Sequence, residues 1–179
     1  FNKSFFKNEE SLVEKIKNCD VIFVADIYSD EYLGGAEITT DVFFNSSKRK
    51  VCKIKCTQIN NDIIEAGILK KWVFFNYASL NIQLIPVIVA NLEYSIVEYD
   101  YKFCKYRSIE KHLAAENKEC DCHNEMTGKI HSAFFHGADR IFWMSSNQKK
   151  IHIERFPFLE GGDNHILSSV FTDETLDTL

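Results

Sequence analysis

The chain has few of the residues that loosen structure: 2 prolines and 7 glycines in 179 residues. That scarcity excludes a low-complexity or disordered polymer. It also lacks a membrane-length apolar run. Leu84-Ile85-Pro86-Val87-Ile88-Val89-Ala90 falls well short of the roughly 20 residues a spanning helix needs, and reads as core. No secretory signal pattern opens the chain. It begins on Phe1 rather than Met, as a trimmed or incomplete chain would. A basic stripe is missing as well. The net charge is −5, and Lys48-Arg49-Lys50 suits a solvated turn between a helix and a strand, so nucleic acid is not an expected partner. There is no P-loop, no G-x-G-x-x-G and no Ser-His-Asp or Cys-His arrangement, and we expect no cofactor.

What remains is ordinary for a soluble single domain: 45% hydrophobic and 26% charged residues, with length enough for a sizeable core. The 6 cysteines are spread widely rather than in the dense framework of a small secreted fold. Cys19, Cys52 and Cys56 fall in or beside strand-like segments. A reducing, cytoplasmic setting is the expectation.

Strand-like and helix-like segments alternate. Cys19–Ala25 is a continuous apolar run suited to a strand buried on both faces. Val51–Cys56, Trp72–Phe75, Tyr94–Tyr99 and Arg140–Met144 continue the series, with His165–Phe171 as a sixth strand or a connector. Helices are expected from Gly34-Gly35-Ala36-Glu37 to about Asn45, over Ile63–Lys70 behind the N-cap chemistry of Asn60-Asn61-Asp62, around Leu84–Leu92 and around Ile130–Gly137. Pro86 is tolerable only in the first turn of its helix. A further helix opens behind Ser145, with Gln148 placed for a capping box. Residues 102–125 form a polar excursion holding a short helix near Ile109–Ala115. The pattern predicts an α/β, Rossmann-like three-layer sandwich: a mostly parallel sheet of about six strands with helices on both faces. Residues 1–171 read as this domain, and 172–179 as the start of a linker.

Ligands of such sheets sit at the carboxyl ends of the strands, which selects four segments. Gly34 and Gly35 follow the first strand, where the next helix offers free N–H groups to an anion, with Glu37 in its first turn. Spacing alone favours a plain tight turn there. Glu98 to Ser108 gathers acids, tyrosines and Arg107 on the same rim, a mixture suited to a polyhydroxyl ligand or to a solvated loop of ion pairs. Glu98, Asp100, Tyr101 and Arg107 are its candidates, and Asp100 is the one candidate general base. Ser145 and Gln148 lie on the rim too, as caps or contacts. Cys120-Asp121-Cys122-His123, with Cys104 upstream, offers zinc-type donors. C-x-C is tight for such a site, however. Free thiols packing a loop are the simpler reading, and a disulfide to Cys104 is a third.

Taken in order, V-I-F-V-A-D, G-G-A-E, E-Y-D-Y-K-F-C-K-Y-R-S, F-H-G-A-D-R-I-F-W-M-S-S-N-Q, F-P-F-L and L-S-S-V-F resemble the N-terminal half of GT-B retaining glycosyltransferases of the group 1/4 type, from about Asp20 to Phe171. The resemblance implies an acceptor-binding domain facing a C-terminal domain that binds a nucleotide-sugar. It puts Gly34, Gly35 and Glu37 near the donor phosphates, and Glu98, Asp100, Tyr101, Arg107, Ser145 and Gln148 on the acceptor side. It implies no metal. It departs from the family in having no E-x₇-E pair and no histidine after the fourth strand, where Tyr99-Asp100-Tyr101 stand. The implied partners are a nucleotide-sugar donor, a glycan-type acceptor and the C-terminal domain, without which the chain is inactive. Its cleft face could also pair two copies. The alternatives are a free-standing Rossmann-like binding module or partner-dependent subunit, and a small zinc-stabilised protein.

Overall fold

A computed structural model describes residues 11–168. Six strands form one all-parallel sheet in the order β2-β1-β3-β4-β5-β6: β1 Val21–Ala25, β2 Val51–Lys55, β3 Lys71–Phe74, β4 Glu93–Glu98, β5 Arg140–Trp143 and β6 Asn164–Ile166. The direction of winding reverses at β1. α2 (Gly35–Ser46), which leads from β1 to β2, therefore lies on one face, with Phe43 packed edge-on to Phe75 and Phe142. The later crossovers cover the other face with α3 (Asn61–Ala66), α4 (Ile85–Asn91), α6 (Met126–Gly137) and α7 (Ser146–Arg155), joined by α1 (Leu12–Lys17). The expected α/β sandwich with helices on both faces is therefore present. No helix among the described residues is long and apolar enough to cross a membrane.

Side-chain alternation divides the core into two layers. Ile22, Val24, Trp72, Phe74, Tyr94, Ile96, Ile141 and Trp143 point into the larger layer, while Val21, Phe23, Ala25 and Val97 face α2. Local chemistry sets the helix ends. Asn60 Oδ1 accepts from Ile63 N at 3.0 Å, and Pro86 sits in the first turn of α4. α3 stops at Ala66, short of the expected Lys70. A Cβ on Gly67 would lie 2.5 Å from Trp72 Cζ2, and the Gly67 carbonyl accepts from Trp72 Nε1 at 2.9 Å. β6 is shorter than the expected 165–171, and the part of that segment past residue 168, like the expected linker, lies outside the described residues.

His152 of α7 is fully buried, stacked with Tyr101 and close to Trp143, its ring 4.6 Å from the indole. Its Nδ1 lies 2.9 Å from the Gln148 carbonyl, so that nitrogen carries the proton of a neutral ring. Burial pulls its pKa down to about 4. The unfolded chain takes up this proton near pH 6.5 and the folded chain does not. Stability is thus lost as pH falls from about 6.5 to about 4, by about 3 kcal/mol in all. Proton NMR of the imidazole should show it neutral at pH 5. An ordinary titration near 6.5 would contradict this.

Candidate functional site

Alternation along β4 sends Glu98 into the larger layer, behind Tyr94 and Ile96, and turns Tyr99 toward α2. Glu98 is fully buried. It accepts a short hydrogen bond from the Tyr77 hydroxyl and pairs with Lys102 Nζ at 3.3 Å. Lys102 is itself buried, 4.6 Å from the centroid of the Tyr77 ring, and also reaches Asp100 Oδ1 at 3.2 Å. Burial raises the Glu98 pKa, and Lys102 opposes that rise. Burial, with Glu98 beside it, likewise holds the Tyr77 phenol protonated.

Asp100 stands at the outer edge of this network. Arg107 grips it with Nε at 2.7 Å and with a second guanidinium nitrogen, which also donates to Asn76 Oδ1 at 3.1 Å. The Tyr101–Arg107 turn that presents Arg107 is tight. Cys104 N donates to Tyr101 O and Arg107 N to Cys104 O, and Arg107 takes a positive φ of 55°. A crevice lined by Tyr77, Ile82, Lys102, Lys105, Arg107 and His131 opens beside it. The ends of β4 and β5 are locked by Gln148. Its Nε2 donates to the Glu98 and Asp100 carbonyls, each at 3.1 Å, and its Oε1 accepts from Met144 N at 2.8 Å.

The rim residues read from the sequence therefore differ in what they face. Asp100 and Arg107 reach the surface. Glu98 and Gln148 are buried. Ser145 caps α7, accepting from Gln148 N at 3.1 Å, while the Gln148 side chain turns to β4 instead of closing the box. Tyr101 packs on His152. The sequence reading missed two groups: Tyr77, which follows β3, and Asn76.

Gly34 is the N-cap of α2 and Gly35 its first residue. A Cβ on Gly34 would stand 2.6 Å from Glu37 Oε2 and 2.8 Å from Tyr32 Cε1, so a side chain there would have to displace both. A Cβ on Gly35 would meet nothing within 4 Å. The Tyr99 hydroxyl donates to the Ala36 carbonyl at 3.2 Å, which ties the first turn of α2 to the end of β4. The two rim motifs are thus neighbours.

A second cluster lies in the 102–125 excursion. Cys104, Cys120 and Cys122 converge on His112 of α5 (Ile109–Glu116), with the donor atoms all within 4.8 Å of one another. All four residues are buried, and the cysteines stand as free thiols. The histidine is His112, not the expected His123, whose ring turns edge-on toward Phe156. No family model matches the chain, and neither the curated proteins nor the solved structures give a match.

Proposed function

We propose that this domain is the acceptor-side half of a two-domain glycosyltransferase that moves a sugar from a nucleotide-sugar to a hydroxyl acceptor. One observation carries the reading. The open N-terminus of α2 at Gly35 is joined through the Tyr99–Ala36 hydrogen bond to the Asp100–Arg107 edge. An anion docked on the α2 N–H groups and a hydroxyl docked at Asp100 would lie side by side on one rim. The donor diphosphate would be held mainly by a second domain, and this rim would position the acceptor. Asp100 is tied to Arg107 and Lys102, which suits it to orient a hydroxyl as an acceptor of its hydrogen bond. The order of the sequence motifs along the chain supports the same reading.

The test is Asp100→Asn in the two-domain protein, assayed with a nucleotide-sugar panel. We expect the acceptor KM to rise and kcat/KM to fall by about tenfold, the worth of one charge-assisted hydrogen bond, with donor KM unchanged. Unaltered acceptor kinetics would sink the assignment.

A further inference from the structure

From residue 113 to residue 127 the fully buried side chains are Cys120 and Cys122, and in α5 the one buried residue is His112. The rest of this stretch is mostly polar and exposed, and it forms no strand. Hydrophobic burial is therefore too sparse to explain its order. The groups it does bury meet at one point, together with Cys104. The Cys104 and Cys122 sulfurs lie 3.6 and 3.5 Å from His112 Nδ1. A tetrahedral zinc, about 2.3 Å from sulfur and about 2.0–2.1 Å from nitrogen, sets S···N edges of about 3.5–3.6 Å and S···S edges of about 3.8 Å. The observed S···N edges already match. The other separations, at most 4.8 Å, close by small side-chain rotations.

We propose that Cys104, His112, Cys120 and Cys122 bind one zinc ion through three thiolates and the imidazole Nδ1. Three sulfurs and one nitrogen in a closed, buried tetrahedron select zinc over magnesium or calcium, and leave no open position for catalysis. The site is a structural clamp. It fastens α5 and the Cys122–Asn124 turn to the turn carrying Arg107, and so holds Arg107 against Asp100. Gly128 of α6 completes the seat, since a Cβ there would fall 2.2 Å from the Cys122 carbonyl oxygen. Metal binding here contributes to folding directly, because the unfolded chain has no preformed site. None of this depends on the glycosyltransferase reading.

The test is metal analysis of the full-length protein, expressed with added zinc and purified without chelator. We expect about one zinc per chain. His123→Ala should keep it, while His112→Ala and Cys120→Ser should drop it at least about tenfold. Cobalt substituted into the wild type should show tetrahedral visible bands and thiolate charge transfer, a readout that survives if the ligand variants fail to fold. Folded wild-type protein with less than about a tenth of an equivalent of zinc would overturn the proposal. So would a cobalt form lacking thiolate charge transfer, a Cys104 disulfide in the purified chain, or full zinc retained in His112→Ala.

Discussion

Gly35→Trp should leave the domain folded and, on the proposed function, lower sugar transfer by the proposed two-domain enzyme by about 100-fold or more. Both halves of this expectation come from one place in the fold. Gly35 is the exposed first residue of α2, and a Cβ added there would meet nothing within 4 Å. From an exposed helix start with room at Cβ the indole can turn toward solvent, and the melting temperature should hardly move. The same open space is where an anion would approach the free N–H groups of the helix, and the indole would fill it. Gly34→Trp serves as a contrast. There the new side chain runs into Glu37 and Tyr32, so stability falls along with activity. A Gly35→Trp enzyme with unchanged turnover would remove the glycine pair from the site.

Lys102→Ala should cost about 3–5 kcal/mol of stability, because it strands a buried carboxylate. The side chains of Lys102 and Glu98 are 2% and 0% exposed, and among the described residues no other cation pairs with Glu98. Asp100 keeps Arg107 when the lysine is lost, so the damage falls on Glu98. The pH dependence gives the mechanism away. Burial already raises the Glu98 pKa, and removing Lys102 removes the charge that opposes the rise. Glu98 should then take up a proton on folding, so the deficit is larger at pH 8 than at pH 5. Lys102→Met combined with Glu98→Gln should recover much of the loss. Urea unfolding at the two pH values checks both points, and a pH-independent deficit would assign the loss to packing instead.

The parts of this fold legible in the sequence are those set by neighbours in sequence. The apolar run of β1, an N-cap within Asn60-Asn61-Asp62, the Ser145 cap and Pro86 in the first turn of α4 all depend on a few adjacent residues. The burial of Glu98 was partly legible. Period-two alternation from Tyr94 and Ile96 places it in the core layer, yet its neighbours Asp100 and Arg107 made the whole segment look like open rim. The choice of His123 over His112 is the clearest case of what was not legible. His123 adjoins Cys122 in sequence, but only the return of the excursion over α5 brings His112 to the thiols. A signal was present even so: α5 has a weak apolar stripe, and a short helix with so little to bury needs another anchor. Gln148 teaches the same lesson. Its place fits a capping box, while its side chain is claimed by carbonyls that only the parallel pairing of β4 and β5 brings near.

The glycosyltransferase reading is tested most directly by nucleotide-sugar turnover of the two-domain protein, measured beside the 179-residue chain alone. The expected result is acceptor-dependent release of nucleoside diphosphate by the longer protein and none by this domain. A folded longer protein that neither binds nor turns over any nucleotide-sugar would contradict the proposal, and would leave the rim as the binding surface of a non-catalytic module.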